Sequence, residues 1–251
     1  MGQIIVVVSG KGGTGKSAFV VGVGAALAEL GKRVLCLDCD VGLRSLDLVM
    51  GLSDYVLMDF SDIIDGRTTL DRAIVQHPQN KNLHLLTAPV STAHETLIPA
   101  AMRPMLRDIQ KNFDFCLIDA PAGIGEFFHL ATCKADRAVV VTTTDQTSMR
   151  TAQRTVMELR RFSQKNMHLV VNRVNRRNIR DMRMTLDDAM DNAGLPLLGI
   201  VPEDRKFALC LNLETYVEQS KKSLAAQAYH NMARRLCGER VPLLRIPFWG
   251  S

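Results

Sequence analysis

The sequence predicts an α/β protein built on a doubly wound, mainly parallel sheet flanked by helices. Three observations lead there. Short apolar runs suited to buried strands recur along the chain, segments with helical apolar spacing lie between most of them, and a glycine-rich loop joins the first run to the first helical pattern. The runs are continuous rather than alternating, as strands covered on both faces require.

The first strand is expected over residues 4–8 and the first helix over 17–30. Further strands follow at 34–37, 83–86, 115–118, 138–142, 168–171 and 197–201, with helices at 102–112, 148–163, 182–193 and 224–236. Parallel neighbours joined through helices imply right-handed crossovers. No internal repeat, low-complexity tract or flexible linker divides the 251 residues, so a single domain is expected over 1–239. Residues 240–251, with Pro242 and Pro247, form a short tail outside the regular fold.

A hydrophobic content of 47% supplies a sizeable core, and 23% charged residues with a mean hydropathy of +0.03 is an ordinary soluble composition. No apolar run reaches the roughly 18 residues that cross a bilayer. The apolar start lacks the basic flank and cleavage pattern of a secretion signal and leads directly into the glycine loop, so a cytoplasmic location is expected. Six cysteines in a chain this long do not make a disulfide scaffold. Cys36 and Cys39, three apart on a strand, point to opposite faces and read as small buried residues rather than a metal-binding pair. The net charge of +5 leaves nucleic acid, anionic lipid and nucleotide all open as acidic partners.

The run Gly10-Lys11-Gly12-Gly13-Thr14-Gly15-Lys16-Ser17 satisfies G-x-x-x-x-G-K-[ST], with a strand before it and a helical pattern after it. Glycines let backbone amides converge on one centre, and the helix that follows adds its positive end, so the loop suits a polyphosphate. Lys16 is placed to reach the β- and γ-phosphates and the Ser17 hydroxyl to bind Mg²⁺; the nucleotide-contacting stretch extends to Ala18. A second anionic centre for Mg²⁺ is available in Asp119, at the end of the strand Phe115-Cys116-Leu117-Ile118; a helix N-cap is its alternative reading. Asp38 and Asp40 end another strand, and their spacing puts both carboxylates on one face, suited to ordering the metal's waters and an attacking water. Taken alone, such a pair would be solvated loop acids.

The loop with its early lysine, the Asp38-Cys39-Asp40 strand end and Asp119-Ala120-Pro121-Ala122-Gly123 together resemble the deviant Walker A ATPases, the class that includes ParA and MinD. More specifically, Asp40-Val41-Gly42-Leu43-Arg44-Ser45-Leu46-Asp47 and Asp62-Ile63-Ile64-Asp65-Gly66 resemble the MinD branch, over residues 4 to about 239. This resemblance implies an ATP-dependent homodimer with the nucleotides sandwiched between subunits, and Mg²⁺-dependent hydrolysis of ATP to ADP. It implies that Lys11 crosses to the partner's phosphates and joins Lys16 and Asp40 as the catalytic set. Asp40 would order the hydrolytic water, Ser17, Asp38 and Asp119 would serve the metal, and Asn172 would recognise adenine beneath a loop of Pro202, Glu203 and Asp204. Without the resemblance, Lys11 reads equally as a solvated surface lysine and Asn172 as a turn residue.

The implied role is a membrane-cycling regulator of bacterial septum placement, cytoplasmic and peripheral at the inner face of the cell membrane. Its implied partner is a division inhibitor or an ATPase-stimulating protein. The alternatives are a ParA-type DNA or plasmid partition ATPase, a flagellar-number regulator and a non-catalytic nucleotide-gated adaptor. Iron–sulfur relatives carry a cysteine three residues beyond the aspartate that corresponds to Asp119; Ala122 stands there instead, against electron transfer.

The tail departs from the family's amphipathic membrane-targeting helix. It groups Leu243, Leu244, Ile246, Phe248 and Trp249 with Arg240 and Arg245, which suits an anionic membrane surface, but its prolines break helical continuity. Folding of the tail onto the body is the competing expectation. Arg173, Arg176, Arg177, Arg180 and Arg183 form the strongest basic segment; mixed with Asp181, Asp187 and Asp188 they read as a solvated face or partner surface, and DNA is the disfavoured ligand.

Overall fold

The computed structural model describes residues 1–91, 98–175, 186–204 and 223–244. Eight strands form one sheet in the order β3-β4-β2-β5-β1-β6-β7-β8. They are β1 (Gln3–Val8), β2 (Val34–Asp38), β3 (Val75–His77), β4 (Asn80–Leu86), β5 (Phe115–Asp119), β6 (Arg137–Thr143), β7 (Met167–Val174) and β8 (Leu197–Pro202). All pairings are parallel except β3 with β4, an antiparallel hairpin at one edge. The seven expected strands are present, and the β3 edge strand is an addition. Val75-Gln76-His77 is too short and too polar to register as an apolar run.

The longer helices among the described residues are α1 (Lys16–Glu29), α5 (Pro99–Asn112), α6 (Glu126–Thr132), α7 (Gln146–Glu158), α8 (Leu186–Ala193) and α9 (Leu224–Leu236). Short turns of helix, α2 (Leu46–Val49), α3 (Phe60–Ile64) and α4 (Leu70–Ala73), fill the connection between β2 and β3. Helix α7 departs from the expected 148–163 at both ends. It starts earlier because the Asp145 carboxylate caps it, accepting from the Ser148 amide at 2.9 Å, and it stops at Glu158. The expected helix over 182–193 is described only from Leu186.

Alternate residues of each central strand feed two separate cores. Ile4, Val6 and Val8 of β1 face one side with α5, α6 and α7, while Ile5 and Val7 face the other with α1 and α9. Cys36, within β2, and Cys39, just past its end, also fall in separate cores. Helix α1 is apolar around its whole circumference because it is covered twice, by the sheet and by α9. Its Phe19 meets Tyr229 edge to face, with ring centroids 6.1 Å apart. On the sheet side Gly24 allows the close approach: a Cβ there would lie 2.8 Å from Cys36 Sγ.

The sheet order places β1 between β5 and β6, with later strands running out in both directions. Ligands of such sheets bind at the carboxyl ends of the strands around this reversal. The carboxyl ends of β2, β5, β1, β6 and β7, side by side, bring together Asp38, Asp119, the glycine loop, Asp145 and Asn172.

Candidate nucleotide-binding site

The phosphate loop runs from β1 into α1, and its shape depends on glycine. Gly13 and Gly15 have φ of 74° and 97°, and Gly15 immediately precedes α1. A Cβ on Gly15 would lie 2.1 Å from the Asn172 amide nitrogen. That close approach has a purpose: Asn172 Nδ2 donates to the Thr14 carbonyl at 2.7 Å, tying the end of β7 to the loop. Ser9 steadies the other end by donating from Oγ to the Lys11 carbonyl at 2.8 Å.

Lys16 is buried at the start of α1, and its positive charge acts on both Asp40 and Asp119. Ser17 Oγ donates to Asp119 Oδ2 at 2.5 Å. The other oxygen, Asp119 Oδ1, is buried without a hydrogen-bond partner among the described residues. Burial, then the neighbouring Asp38 charge, pushes the Asp119 carboxyl up to about 7, against the Ser17 hydrogen bond and Lys16. A hydroxyl, a carboxylate with a free oxygen and a local excess of negative charge are a hard-oxygen donor set that fits Mg²⁺. Asp119 is not a helix cap: α6 begins only at Glu126.

The Asp38/Asp40 pair is arranged differently from the expected common strand face, because β2 ends at Asp38. The Asp38 carboxylate accepts the Asp40 amide at 2.8 Å on Oδ1, and the Ser45 and Leu46 amides at 2.9 and 3.0 Å on Oδ2. Asp38 thus anchors the turn that carries Asp40. Burial raises its carboxyl, and those three amides work in the opposite direction. Asp40 is half-buried, its carboxyl raised by desolvation and lowered by Lys16. Arg44, with φ of 42°, ends the turn in the left-handed region and binds Asp47 at 2.8 Å.

Lys11 stands on the exposed part of the loop. Its ammonium lies 3.8 Å from Asp145 Oδ1, both side chains being about half exposed at 50% and 46%. Asp145 was not among the expected site residues, although Asp145-Gln146-Thr147-Ser148 is a readable N-cap signature. Desolvation raises its carboxyl, but hydrogen bonds from Ser148 and Thr143, with the Lys11 charge, bring it down to about 2. Ser45 is a further addition, its Oγ 3.5 Å from Ser17 Oγ.

The base-binding candidates fall at the ends of β7 and β8. Asn172 Oδ1 accepts the amide of Arg173, whose φ of 53° turns the chain out of β7. Pro202 pairs with Val174, and Glu203 accepts from Asn175 Nδ2 at 2.6 Å. Asp204 accepts the Ala225 amide at 3.4 Å, linking this loop to α9. Arg173 is exposed; Arg176, Arg177, Arg180 and Arg183 lie outside the described residues. So do tail residues Arg245 to Ser251, whereas Leu244 packs against the core and Leu243 is exposed.

Comparison with known proteins fits this geometry. A family model described as ParA, NUBPL iron-transfer P-loop NTPase, matches residues 1–237. The septum site-determining protein MinD of Synechocystis is 36% identical over 97% of this chain and 92% of its own length. The structure of the Aquifex aeolicus MinC:MinD cell division protein complex superposes with a TM-score of 0.88 at 33% identity, covering 98% of this chain and 100% of that one. MinD from Pyrococcus horikoshii, complexed with Mg-ADP, gives 0.82 at 28% identity over 94% of this chain and 96% of its own. The chain belongs to the MinD branch of the deviant Walker A, or MinD/ParA, family of P-loop NTPases.

Proposed function

We propose that this protein hydrolyses ATP, dimerises through the bound nucleotide and cycles on and off anionic membrane to regulate placement of the division septum. The observation that carries the chemistry is the Ser17–Asp119 pair, with one buried carboxylate oxygen beside Lys16 that has no partner among the described residues. The septum site-determining relatives support the cellular role, and the Aquifex complex with MinC supports a division inhibitor as partner.

In this reading the loop amides and the start of α1 cradle the β- and γ-phosphates, and Lys16 neutralises them. Ser17 and Asp119 hold Mg²⁺, which when bound offsets charge on the phosphate oxygens. Asp40 accepts a hydrogen bond from the attacking water and orients it toward the γ-phosphorus. As the new P–O bond forms, the bond to the β–γ bridging oxygen breaks, giving ADP and phosphate. Lys11, delivered from a second subunit, stabilises charge on the transferring group, so turnover depends on assembly. Asn172 and the 202–204 loop hold the adenine.

The test is sedimentation of the full chain with anionic vesicles, in ADP and in ATP. Retention on vesicles in ATP and release on hydrolysis are expected; absence from the vesicle pellet in every nucleotide state would remove membrane cycling from the function.

A further inference from the structure

Asn172 pairs in register with Thr143, the last residue of β6, and β6 separates β7 from β1. The residue is 6% exposed, and its side chain reaches past the end of β6 to the loop that follows β1. An asparagine that only shapes a turn bonds to its own neighbourhood. Here Oδ1 alone does so, accepting the Arg173 amide at 2.8 Å, while Nδ2 donates across 158 residues of sequence to the Thr14 carbonyl at 2.7 Å.

That carbonyl belongs to the peptide joining Thr14 to Gly15. In a trans peptide the C=O and N–H point in opposite directions from one rigid plane, and no peptide among the described residues is cis. Holding the Thr14 oxygen on Asn172 therefore turns the Gly15 N–H away from Asn172. The next peptide is held separately, its Gly15 carbonyl accepting the Phe19 amide at 3.0 Å in the first turn of α1. Little else among the described residues fixes the first of these two planes. Gly13 and Gly15, at φ of 74° and 97°, have no side chain to resist its rotation, and a Cβ on Gly13 would touch nothing within 4 Å. Thr14 Oγ1 is buried without a hydrogen-bond partner among the described residues. None of their side chains caps the amino end of α1, so the amides there stay available to an anion.

We infer that Asn172 is a positioning residue for the phosphate loop: its bond to Thr14 keeps the Gly15 amide presented to the phosphates, whether or not a base is bound. A primary amide carries two N–H donors and two acceptor lone pairs, so one of each remains on Asn172 for a base. One side chain then serves both ends of the nucleotide. The inference deepens the nucleotide-binding reading of this site and rests on it.

Tripolyphosphate with Mg²⁺ has the phosphates of ATP and no base, and so separates this role from base recognition. In calorimetry Asn172→Ala should bind it about tenfold more weakly than wild type does, the loss expected for one hydrogen bond to a charged group. In the wild-type chain, tripolyphosphate should shift the Asn172 side-chain amide resonances, and adenosine alone should shift the Gly15 backbone amide. These two shifts need no variant, and a merely structural asparagine would produce neither. Equal tripolyphosphate affinity in variant and wild type, with only ATP binding weakened, would overturn the inference and restrict Asn172 to the base, leaving the nucleotide reading intact. Asn172 side-chain resonances that stay in place with tripolyphosphate bound would overturn it as well. A wild-type chain that binds neither tripolyphosphate nor ATP would overturn the nucleotide reading itself, and the inference with it.

Discussion

Replacing Asp38 with alanine separates two roles for a buried carboxylate. Asp38 accepts three backbone amides, from Asp40, Ser45 and Leu46, at 2.8 to 3.0 Å. Hydrogen bonds to a charged acceptor contribute about 1.5 kcal/mol each, so the alanine variant forfeits about 4.5 kcal/mol before compensation. Two effects offset this: the carboxylate is no longer desolvated, and the repulsion between Asp38 and Asp119, direct neighbours in the β2–β5 register, disappears. Allowing about 2 kcal/mol for these, the variant should lose about 2.5 kcal/mol in denaturant titration without nucleotide. The Asp40, Ser45 and Leu46 amides should exchange faster with solvent, and the Asp119 carboxyl should fall below its value of about 7, as read by carbon-detected titration. Unchanged stability and amide protection, with only Mg²⁺ affinity reduced, would refute the anchoring role and return Asp38 to the metal shell.

Gly15→Ala forces a Cβ to within 2.1 Å of Asn172 Nδ2 at a φ of 97°, and should cost about 2 kcal/mol of stability and most of the nucleotide affinity in calorimetry. Asn172→Ala removes the tie to Thr14 and should lower stability by about 1 kcal/mol while reducing discrimination between ATP and GTP in competition binding. Asp145 has its carboxyl lowered from 3.8 to about 2, so its contribution is present above pH 3.8 and lost as pH falls through about 2. With the side chain 46% exposed, that contribution is about 1 kcal/mol, and Asp145→Ala should flatten the acid limb of the stability–pH curve by this amount.

The residues that sequence made readable are those whose role is local. Buried parallel strands appear as apolar runs, and the glycine loop carries its own spacing, because a turn that exposes amides to phosphate demands glycine at fixed offsets. Asp38 and Asp40 were harder to place. Period-2 alternation holds only while the strand lasts, and Asp38 itself ends β2 by drawing the following amides onto its carboxylate. The bond between Asn172 and Thr14 spans 158 residues of sequence, and the meeting of Lys11 with Asp145 depends on β1 and β6 being neighbours. Neither has a local signature. Asp145 was legible as a helix cap, but its place beside the phosphate loop required the sheet order.

The central claim is that Lys11 serves a nucleotide held between two subunits rather than its own. In the described structure its ammonium meets only the half-exposed Asp145 at 3.8 Å, a contact worth well under 1 kcal/mol and readily exchanged for a stronger anion. Light scattering of the purified chain with a nonhydrolysable ATP analogue and Mg²⁺ tests this directly. Wild type should move from 27.8 kDa to twice that mass, while Lys11→Ala should bind the analogue with near-normal affinity and stay at the single-chain mass. A Lys11→Ala protein that dimerises like wild type, or a wild type that stays monomeric with the analogue bound, would contradict the account.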